Sequence, residues 1–283
     1  MRKIRHLHTA EISACVARLC VLANTRLPGR MDDLLRAARD RESYELAKDA
    51  LSLICRNAEM ALHQQMPICQ DTGMAVVYAE VGQDVHLTGG TLDEAIHEGI
   101  VRGYREGYLR MSVVSDPFRR TNTGDNTPAI IHTRLVAGDR IKLTIAPKGF
   151  GSENMSRLAM LNPSDGIRGA ADFVLETVRL AGANPCPPMV LGVGIGGTFE
   201  RAAQLAKEAL VEQREGPHPD PFYEELEDTL LRRINELGIG PQGFGGRTTA
   251  LAVWIKAFPT HIAGLPVAVN MGCHANRHAS ETL

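Results

Sequence analysis

Three cysteines stand in loops built from proline and glycine: Pro67-Ile-Cys-Gln-Asp-Thr-Gly73, Asn184-Pro-Cys-Pro-Pro188 and Met271-Gly-Cys-His-Ala-Asn-Arg-His278. Proline removes a backbone donor and glycine permits angles other residues avoid, so each thiol is held on a turn. Cys15, Cys20 and Cys55 lie instead on helical stretches beside an apolar stripe and read as core residues. Cys69, Cys186 and Cys273 show no close pairing of the zinc-finger or ferredoxin kind. Spacing alone therefore leaves a metal site and three unrelated loop cysteines equally open. If the three converge, three thiolates leave one corner of a four-iron cluster without a protein ligand. An open iron is a Lewis acid suited to eliminating water from a hydroxy acid. That chemistry also needs an acid and a base within hydrogen-bond reach of substrate. Asp71 lies two residues from Cys69, and His261 and His274 lie near Cys273. The plainer alternatives are an Asx-type turn for Asp71 and structural hydrogen bonding for each histidine.

The elements that position these loops follow from periodicity. Residues 9–27 carry Ile12, Cys15, Val16, Leu19, Leu22 and Ala23 at helical spacing, and Pro28-Gly29 ends the run. A second helical region is expected over residues 32–65, with Ala47, Leu51, Ile54, Ala58 and Leu62 on one face, delivering the chain to Pro67. Residues 74–81 read as a strand. Thr91 and Glu94 form a capping box for a helix carrying Ile96, Ile100, Tyr104 and Tyr108 and closing near Arg110, which could serve the helix dipole. Ile131, Thr133 and Leu135 alternate against Ile141, Leu143 and Ile145 across Ala137-Gly138-Asp139, the pattern of a hairpin. Helices are expected over 164–182, 199–213 and 222–237, with strands over 189–193, 248–255 and 265–270. The fold class expected is a mixed α/β domain over residues 1–283, with a mixed sheet, a helical region over 1–66 and a site built on loops.

Composition narrows the partners. The 31 basic and 33 acidic residues nearly cancel, and no Lys/Arg block suggests nucleic acid. No run approaches the roughly 20 apolar residues of a membrane span. The basic start Met1-Arg-Lys-Ile-Arg-His is followed by Glu11 and Arg18, which suits a helix better than a signal peptide. A cytoplasmic protein with reduced thiols and a small-molecule substrate is expected. Gly192-Val-Gly-Ile-Gly-Gly197 satisfies the dinucleotide fingerprint, making an NAD-dependent oxidoreductase the rival chemistry. The same glycines would equally let a helix and strand pack closely. A non-enzymatic zinc or assembly site is the remaining alternative.

Further motifs join the Cys69 loop in a recognisable order: Asn122-Thr-Gly-Asp-Asn-Thr-Pro128, Ala146-Pro-Lys-Gly-Phe-Gly-Ser-Glu-Asn-Met155, Cys186-Pro-Pro188 with Gly192-Val-Gly-Ile-Gly196, and Gly238-Ile-Gly-Pro-Gln-Gly243. Together they resemble the class I iron-sulfur fumarate hydratases and their tartrate dehydratase relatives, from about Asn24 to the end of the chain. The resemblance implies a hydro-lyase in which Cys69, Cys186 and Cys273 ligate a 4Fe-4S cluster. It implies interconversion of (S)-malate and fumarate, with L-tartrate dehydration as the alternative. It also implies that Gln70, Asp71, Arg110 and His261 contact the dicarboxylate, with Asp71 and His261 catalytic and Asp71 a proton donor to the leaving hydroxide. It adds nothing for His274. Single-chain members carry a further carboxy-terminal domain with the catalytic base and basic residues for the second substrate carboxylate. This sequence ends soon after Cys273, so the expectation is an alpha subunit that needs a beta subunit, in a dimer of heterodimers, with little turnover alone. Phe150 departs from the glycine expected within Lys-Gly-Gly-Gly-Ser.

Overall fold

The computed structural model describes residues 4–283; Met1, Arg2 and Lys3, which begin the basic amino-terminal segment, lie outside the described residues. In chain order the elements are β1 (Arg5–His8), α1 (Thr9–Thr25), α2 (Gly29–Arg41), α3 (Glu45–Gln64), β2 (Met74–Gly82), β3 (Val85–Thr88), α4 (Leu92–Glu106), β4 (Ile130–Val136), β5 (Ile141–Lys148), α5 (Phe150–Glu153), β6 (Arg157–Leu161), α6 (Gly166–Ala181), β7 (Met189–Gly196), α7 (Phe199–Glu212), α8 (Pro221–Asn235), β8 (Ala250–Phe258), β9 (Leu265–Gly272) and β10 (Ala279–Thr282). This is the mixed α/β class that the alternation of helical and strand periodicities predicts. The chain packs as two compact units. Unit one comprises the segment up to Pro28 with residues 58–149 and 277–283; unit two comprises residues 29–57 and 150–276. Among the described residues no helix is long and apolar enough to cross a membrane.

In unit one a four-stranded sheet has the order β10-β5-β2-β4. Ile12, Val16 and Leu19 of α1 and Ile96, Ile100 and Tyr104 of α4 cover it, packing on Val77, Ile141, Leu143 and Ile145. The capping box of α4 forms as expected: Thr91 Oγ1 accepts from Glu94 N at 3.2 Å, and Glu94 Oε2 accepts from Thr91 N at 3.0 Å. The expected hairpin does not form. β4 and β5 lie on opposite sides of β2, β4 parallel to it and β5 antiparallel. The end of β2 enters the 137–140 loop, where Gly82 N and Asp84 N donate to Arg140 O and Gly138 O. β2 can take the central place because most of its residues are buried, whereas β4 is largely exposed and suits an edge.

The helix expected over 32–65 is two helices. The break falls at Glu42, whose carboxylate Oε1 accepts from Ser43 N and Tyr44 N, both at 3.0 Å, starting a new helix without proline or glycine. Leu22 and Leu62, expected on buried stripes, are exposed. α4 stops at Glu106, and Tyr108 follows with φ +50°. Arg110 is thus beyond the helix rather than at its dipole.

In unit two the sheet order is β6-β9-β7-β8, with β7 parallel to β8 and antiparallel to β9. Val174 and Val178 of α6 and Leu230 and Ile234 of α8 pack on Leu191, Val193, Val253 and Val267. α7 packs close to β7 because Gly192 and Gly194 lack side chains. A Cβ at these positions would lie 1.9 Å from Ala206 O and 2.1 Å from Ala202 O. These glycines lie inside the strand and serve helix–sheet packing, the non-nucleotide reading of the fingerprint.

Candidate functional site

The loop after α3 is held by its backbone. Ile68 N donates to Asn24 O at 2.9 Å, and Arg277 Nη2 donates to Asp71 O at 2.6 Å. Thr72 Oγ1 accepts from Arg110 N at 2.9 Å and lies 3.2 Å from Arg110 O. The Tyr104 hydroxyl lies 2.9 Å from Thr72 O and 3.0 Å from Gly73 O, and Asn126 Nδ2 donates to Gly73 O at 3.1 Å. Tyr104 and Asn126 are fully buried, and burial pushes the Tyr104 hydroxyl well above its ordinary pKa, so it remains a donor. Asn24 and Arg277 are themselves tied, Arg277 Nε donating to Asn24 Oδ1 at 3.2 Å. The side chains are left to the surface: Cys69 and Asp71 are half-buried, and Gln70 and Arg110 are exposed.

Within this frame, Cys69 Sγ donates to Gln70 Oε1 at 3.1 Å. Asp71 Oδ1 accepts from Gly73 N at 3.0 Å, the Asx-type bond expected as the plainer role of that carboxylate. A Cβ on Gly149 would meet Asp71 Oδ2 at 3.0 Å, so glycine at this position gives the second carboxylate oxygen space. Unit one therefore gathers Cys69, Gln70, Asp71 and Arg110 around one pinned loop. The Asn122–Pro128 motif belongs to the same construction. Asn126 Oδ1 accepts from Ser112 N at 2.7 Å while its amide holds Gly73.

Unit two gathers the other two loop cysteines. Antiparallel pairing of β7 with β9 sets Val190 opposite Gly272, so Cys186, just before β7, and Cys273, just after β9, share one end of the sheet. Cys186 O lies 2.9 Å from His274 Nδ1 and accepts more weakly from His274 N at 3.4 Å. Pro187 O accepts from both Gln242 N and Gln242 Nε2 at 2.8 Å. Cys186 has φ +55°, a left-handed backbone rare for a residue with a side chain, and its side chain is exposed. Such strain is retained where a site constrains the chain. His274, nominated only by proximity, acts as a structural hydrogen-bonder here.

His261 is placed elsewhere. Pro259 O accepts from Gly197 N, and Thr260 Oγ1 donates to Gly197 O, which fixes this loop at the end of β7 opposite Cys186. Its Nδ1 accepts from Ala263 N at 3.2 Å. Sequence proximity to Cys273 is therefore not spatial proximity within the unit, because the length of β9 intervenes.

The division of the cysteines follows their settings. Cys15, Cys20 and Cys55 are buried, Cys69 and Cys273 half-buried and Cys186 exposed. Burial raises Cys15 to about 11, helped by nearby Glu281, and Cys20 to about 12, which keeps both as thiols. Among the described residues no three His, Cys, Asp or Glu side chains are grouped to hold a single metal ion. The residues that sequence reasoning missed are Asn24, Thr72, Tyr104 and Arg277. Asn24 was visible as an amide at the end of an apolar stripe, and Arg277 as a cation four residues after Cys273.

A mixed α/β chain with cysteine-bearing loops at strand ends defines a class, and comparison narrows it to a family. The family model described as fumarate hydratase (Fumerase) matches residues 13–282. The chain belongs to that family, and so to the hydro-lyases. It is 42% identical over 95% of its length to a Methanocaldococcus jannaschii protein named "Putative L(+)-tartrate dehydratase subunit alpha", covering 96% of that protein. It is 32% identical to the L(+)-tartrate dehydratase subunit alpha of Escherichia coli strain UTI89, and 31% to that of strain K12, over 95% of this chain and 90% of each relative.

Proposed function

We propose that the chain is the alpha subunit of an iron-sulfur hydro-lyase that removes water from a 2-hydroxy dicarboxylate, with L(+)-tartrate as its substrate. The names of its relatives favour tartrate over the malate expected first; malate and fumarate remain the second reading, favoured by the family's description. Both units serve one alpha-type catalytic domain. Cys69, Cys186 and Cys273 would hold a 4Fe-4S cluster, and the donor set fits: three loop thiols at or near the surface, unlike the three buried ones. When bound, the cluster supplies a Lewis acid for the substrate hydroxyl.

The observation that carries the reading is the division of labour in the Cys69–Gly73 loop, where buried groups hold the backbone and the reactive side chains face outward. That is the preorganisation a site needs, since the backbone need not be reordered when substrate binds. Arg110, exposed and fixed by its backbone to Thr72, offers a planar fork for one substrate carboxylate. Gln70, whose Oε1 accepts from Cys69 Sγ, offers an amide. Asp71 is oriented by Gly73 N on Oδ1, and its carboxyl group is the one we assign to deliver a proton to the departing hydroxide. His261, at the far end of its sheet, receives no step. A beta subunit would supply the base and the second carboxylate clamp.

The test is anaerobic reconstitution of the chain with its second subunit, iron and sulfide, followed by iron counting and turnover of L(+)-tartrate, (S)-malate and fumarate. Oxaloacetate from tartrate, with cluster lost in Cys69→Ser, Cys186→Ser and Cys273→Ser but retained in Cys55→Ser, is the expected result. Preferential turnover of malate would transfer the assignment to the second reading. Failure of the folded wild type to take up iron would overturn the cluster.

A further inference from the structure

The stretch Gly151-Ser-Glu-Asn-Met155 takes no part in the chemistry proposed above. It folds around the single turn α5, closed by Asn154 N on Phe150 O and Met155 N on Ser152 O, both at 3.1 Å. Glu153 Oε1 accepts from Lys207 Nζ of α7 at 2.5 Å, and Glu153 Oε2 accepts from Asn270 Nδ2 at 2.8 Å. The same amide nitrogen donates to Ser156 Oγ at 2.9 Å, which also accepts from Met271 N at 3.0 Å. Asn270 is the one polar residue of β9 and is 5% exposed. Its Oδ1 has no partner among the described residues. An apolar residue would fill this strand position without leaving a buried acceptor unpaired, so the two bonds from Nδ2 are what the asparagine supplies. The carboxylate also fixes which way the amide faces, because Oδ1 turned towards Glu153 would set acceptor against acceptor.

The network ends two residues before Cys273. Beyond that cysteine a second anchor follows: Asn276 N donates to Cys273 O at 3.1 Å, and Asn276 Nδ2 donates at 2.9 Å to Leu210 O, one of the carbonyls in the closing turn of α7. Both anchors therefore run to the last two turns of α7, one through Lys207 and the other through Leu210. The α5 turn reaches the other loop thiol of this unit as well, since Asn184 Nδ2 lies 3.7 Å from Met155 Sδ and Asn184 is two residues before Cys186. Cys273 is thus held from both sides while its own side chain is half-buried. Bonds to an ionised acceptor are the stronger kind, and Lys207 balances the Glu153 charge in a partly buried setting. A thiol held in this way meets an incoming group without first ordering its loop.

We propose that Glu153 and Asn270 are positioning residues for the Cys273 thiol, acting through Ser156 and the backbone of Met271. Their effect on a bound cluster rests on the hydro-lyase reading; their effect on the thiol does not. Iodoacetamide alkylation of the full chain without iron, read by peptide mass at Cys273, Cys55 and Cys69, tests it in Glu153→Gln, Asn270→Asp, Ser156→Ala and the double variant Glu153→Gln/Asn270→Asp. Asn270→Asp sets carboxylate against carboxylate, and Glu153→Gln sets an amide N–H against Lys207 or against the Asn270 amide. The double exchange turns the bond round: the new amide donates to the new carboxylate and its oxygen still accepts from Lys207, while Ser156 Oγ keeps Met271 N and gives its hydrogen to the carboxylate. Cys273 should react about tenfold faster in each single variant and return to within about twofold of wild type in the double variant, with Cys55 and Cys69 unchanged throughout. In the chain reconstituted with its second subunit and iron, release of iron to a chelator should accelerate in the single variants and recover in the double. Cys273 reactivity unchanged in the single variants, or not restored in the double, overturns the proposal. So does parallel exposure of Cys55, which would make the network a general support of unit two. Iron release at the wild-type rate in variants that free Cys273 overturns the role towards the cluster. If the folded wild type takes up no iron while the single variants still free Cys273, the cluster reading falls and the positioning role stands.

Discussion

Glu42 is the residue whose loss should tell most about how unit two is assembled. It is 3% exposed, and its carboxylate accepts three backbone N–H groups: Ser43 and Tyr44 at 3.0 Å on Oε1 and Arg247 at 2.8 Å on Oε2. The first two begin α3; the third ties residues 29–57 to the glycine-rich loop that presents Gln242 to Pro187. Hydrogen bonds to a charged acceptor contribute about 1.5–3 kcal/mol each. In Glu42→Ala the Ser43 and Tyr44 donors can recover water, since both residues are exposed, so they count for about 1 kcal/mol together. The Arg247 bond and the lost packing raise the expected cost to about 3 kcal/mol. Glu42→Gln keeps an acceptor for Ser43 and Tyr44 and should cost about half as much. For a chain of this size the alanine variant should melt about 6–12 °C lower. Urea unfolding of the three proteins, with midpoints converted through a common slope, is the assay. An alanine variant within about 0.5 kcal/mol of wild type, or a glutamine variant as damaged as the alanine, would refute this account.

Other perturbations have equally definite outcomes. Gly192→Ala drives a Cβ into Ala206 O and should cost about 3 kcal/mol by overpacking, visible as a lower urea midpoint. Asn126→Ala removes the bonds to Ser112 N and Gly73 O at a left-handed position. It should cost about 2–3 kcal/mol and speed alkylation of Cys69 by iodoacetamide in the apoprotein. His278 is held down to about 4, chiefly by burial and then by Lys142. The unfolded chain therefore binds the extra proton first as pH falls. The stabilisation is complete above about pH 6.5 and is lost towards pH 4, a slope worth about 3 kcal/mol that His278→Gln should abolish in urea titrations across that range. In the reconstituted two-subunit enzyme, Asp71→Asn should retain iron yet lose about 10²–10⁴-fold in kcat. Unchanged kcat would remove Asp71 as the proton donor.

Periodicity reported elements well and partners poorly, for a physical reason. An amphipathic stripe states that a helix has a core to face, and the strand residues Ile131, Leu135, Ile141 and Leu143 alternate as strands should. Nothing in that alternation says which strand lies beside which. The loop Ala137-Gly138-Asp139 has hairpin chemistry, yet its carbonyl oxygens satisfy donors at the end of β2. A buried strand with two bare edges competes for ladder hydrogen bonds more strongly than the local turn can resist. The short strands β1, β3, β6 and β10 were illegible for another reason. Each has four or five residues with a mixed burial pattern, too few for a period to stand out. Glu42 shows the same limit at a helix end. Its capping role depends on Arg247, a residue no local window contains.

The candidate site was legible where it rests on local covalent geometry and illegible where it rests on packing. Proline and glycine around Cys69, Cys186 and Cys273 forbid regular structure, so those thiols had to lie on turns and remain reachable, while the helical Cys15, Cys20 and Cys55 had to be buried. His261 is set apart from Cys273 within its unit by the same distinction. Between it and Cys273 runs β9, and a strand rises about 3.3 Å per residue, so twelve positions in sequence become an obstacle rather than a link. Cys186 and His274, distant in the chain, meet because the ladder between β7 and β9 returns the chain to where it began. Asn24 and Arg277 hold the Cys69 loop from still more distant segments, joined by the bond between them. Reactive residues announce themselves through the loops that expose them. The residues that aim them are ordinary core and helix positions, identified only once the backbone groups of those loops are each traced to a partner.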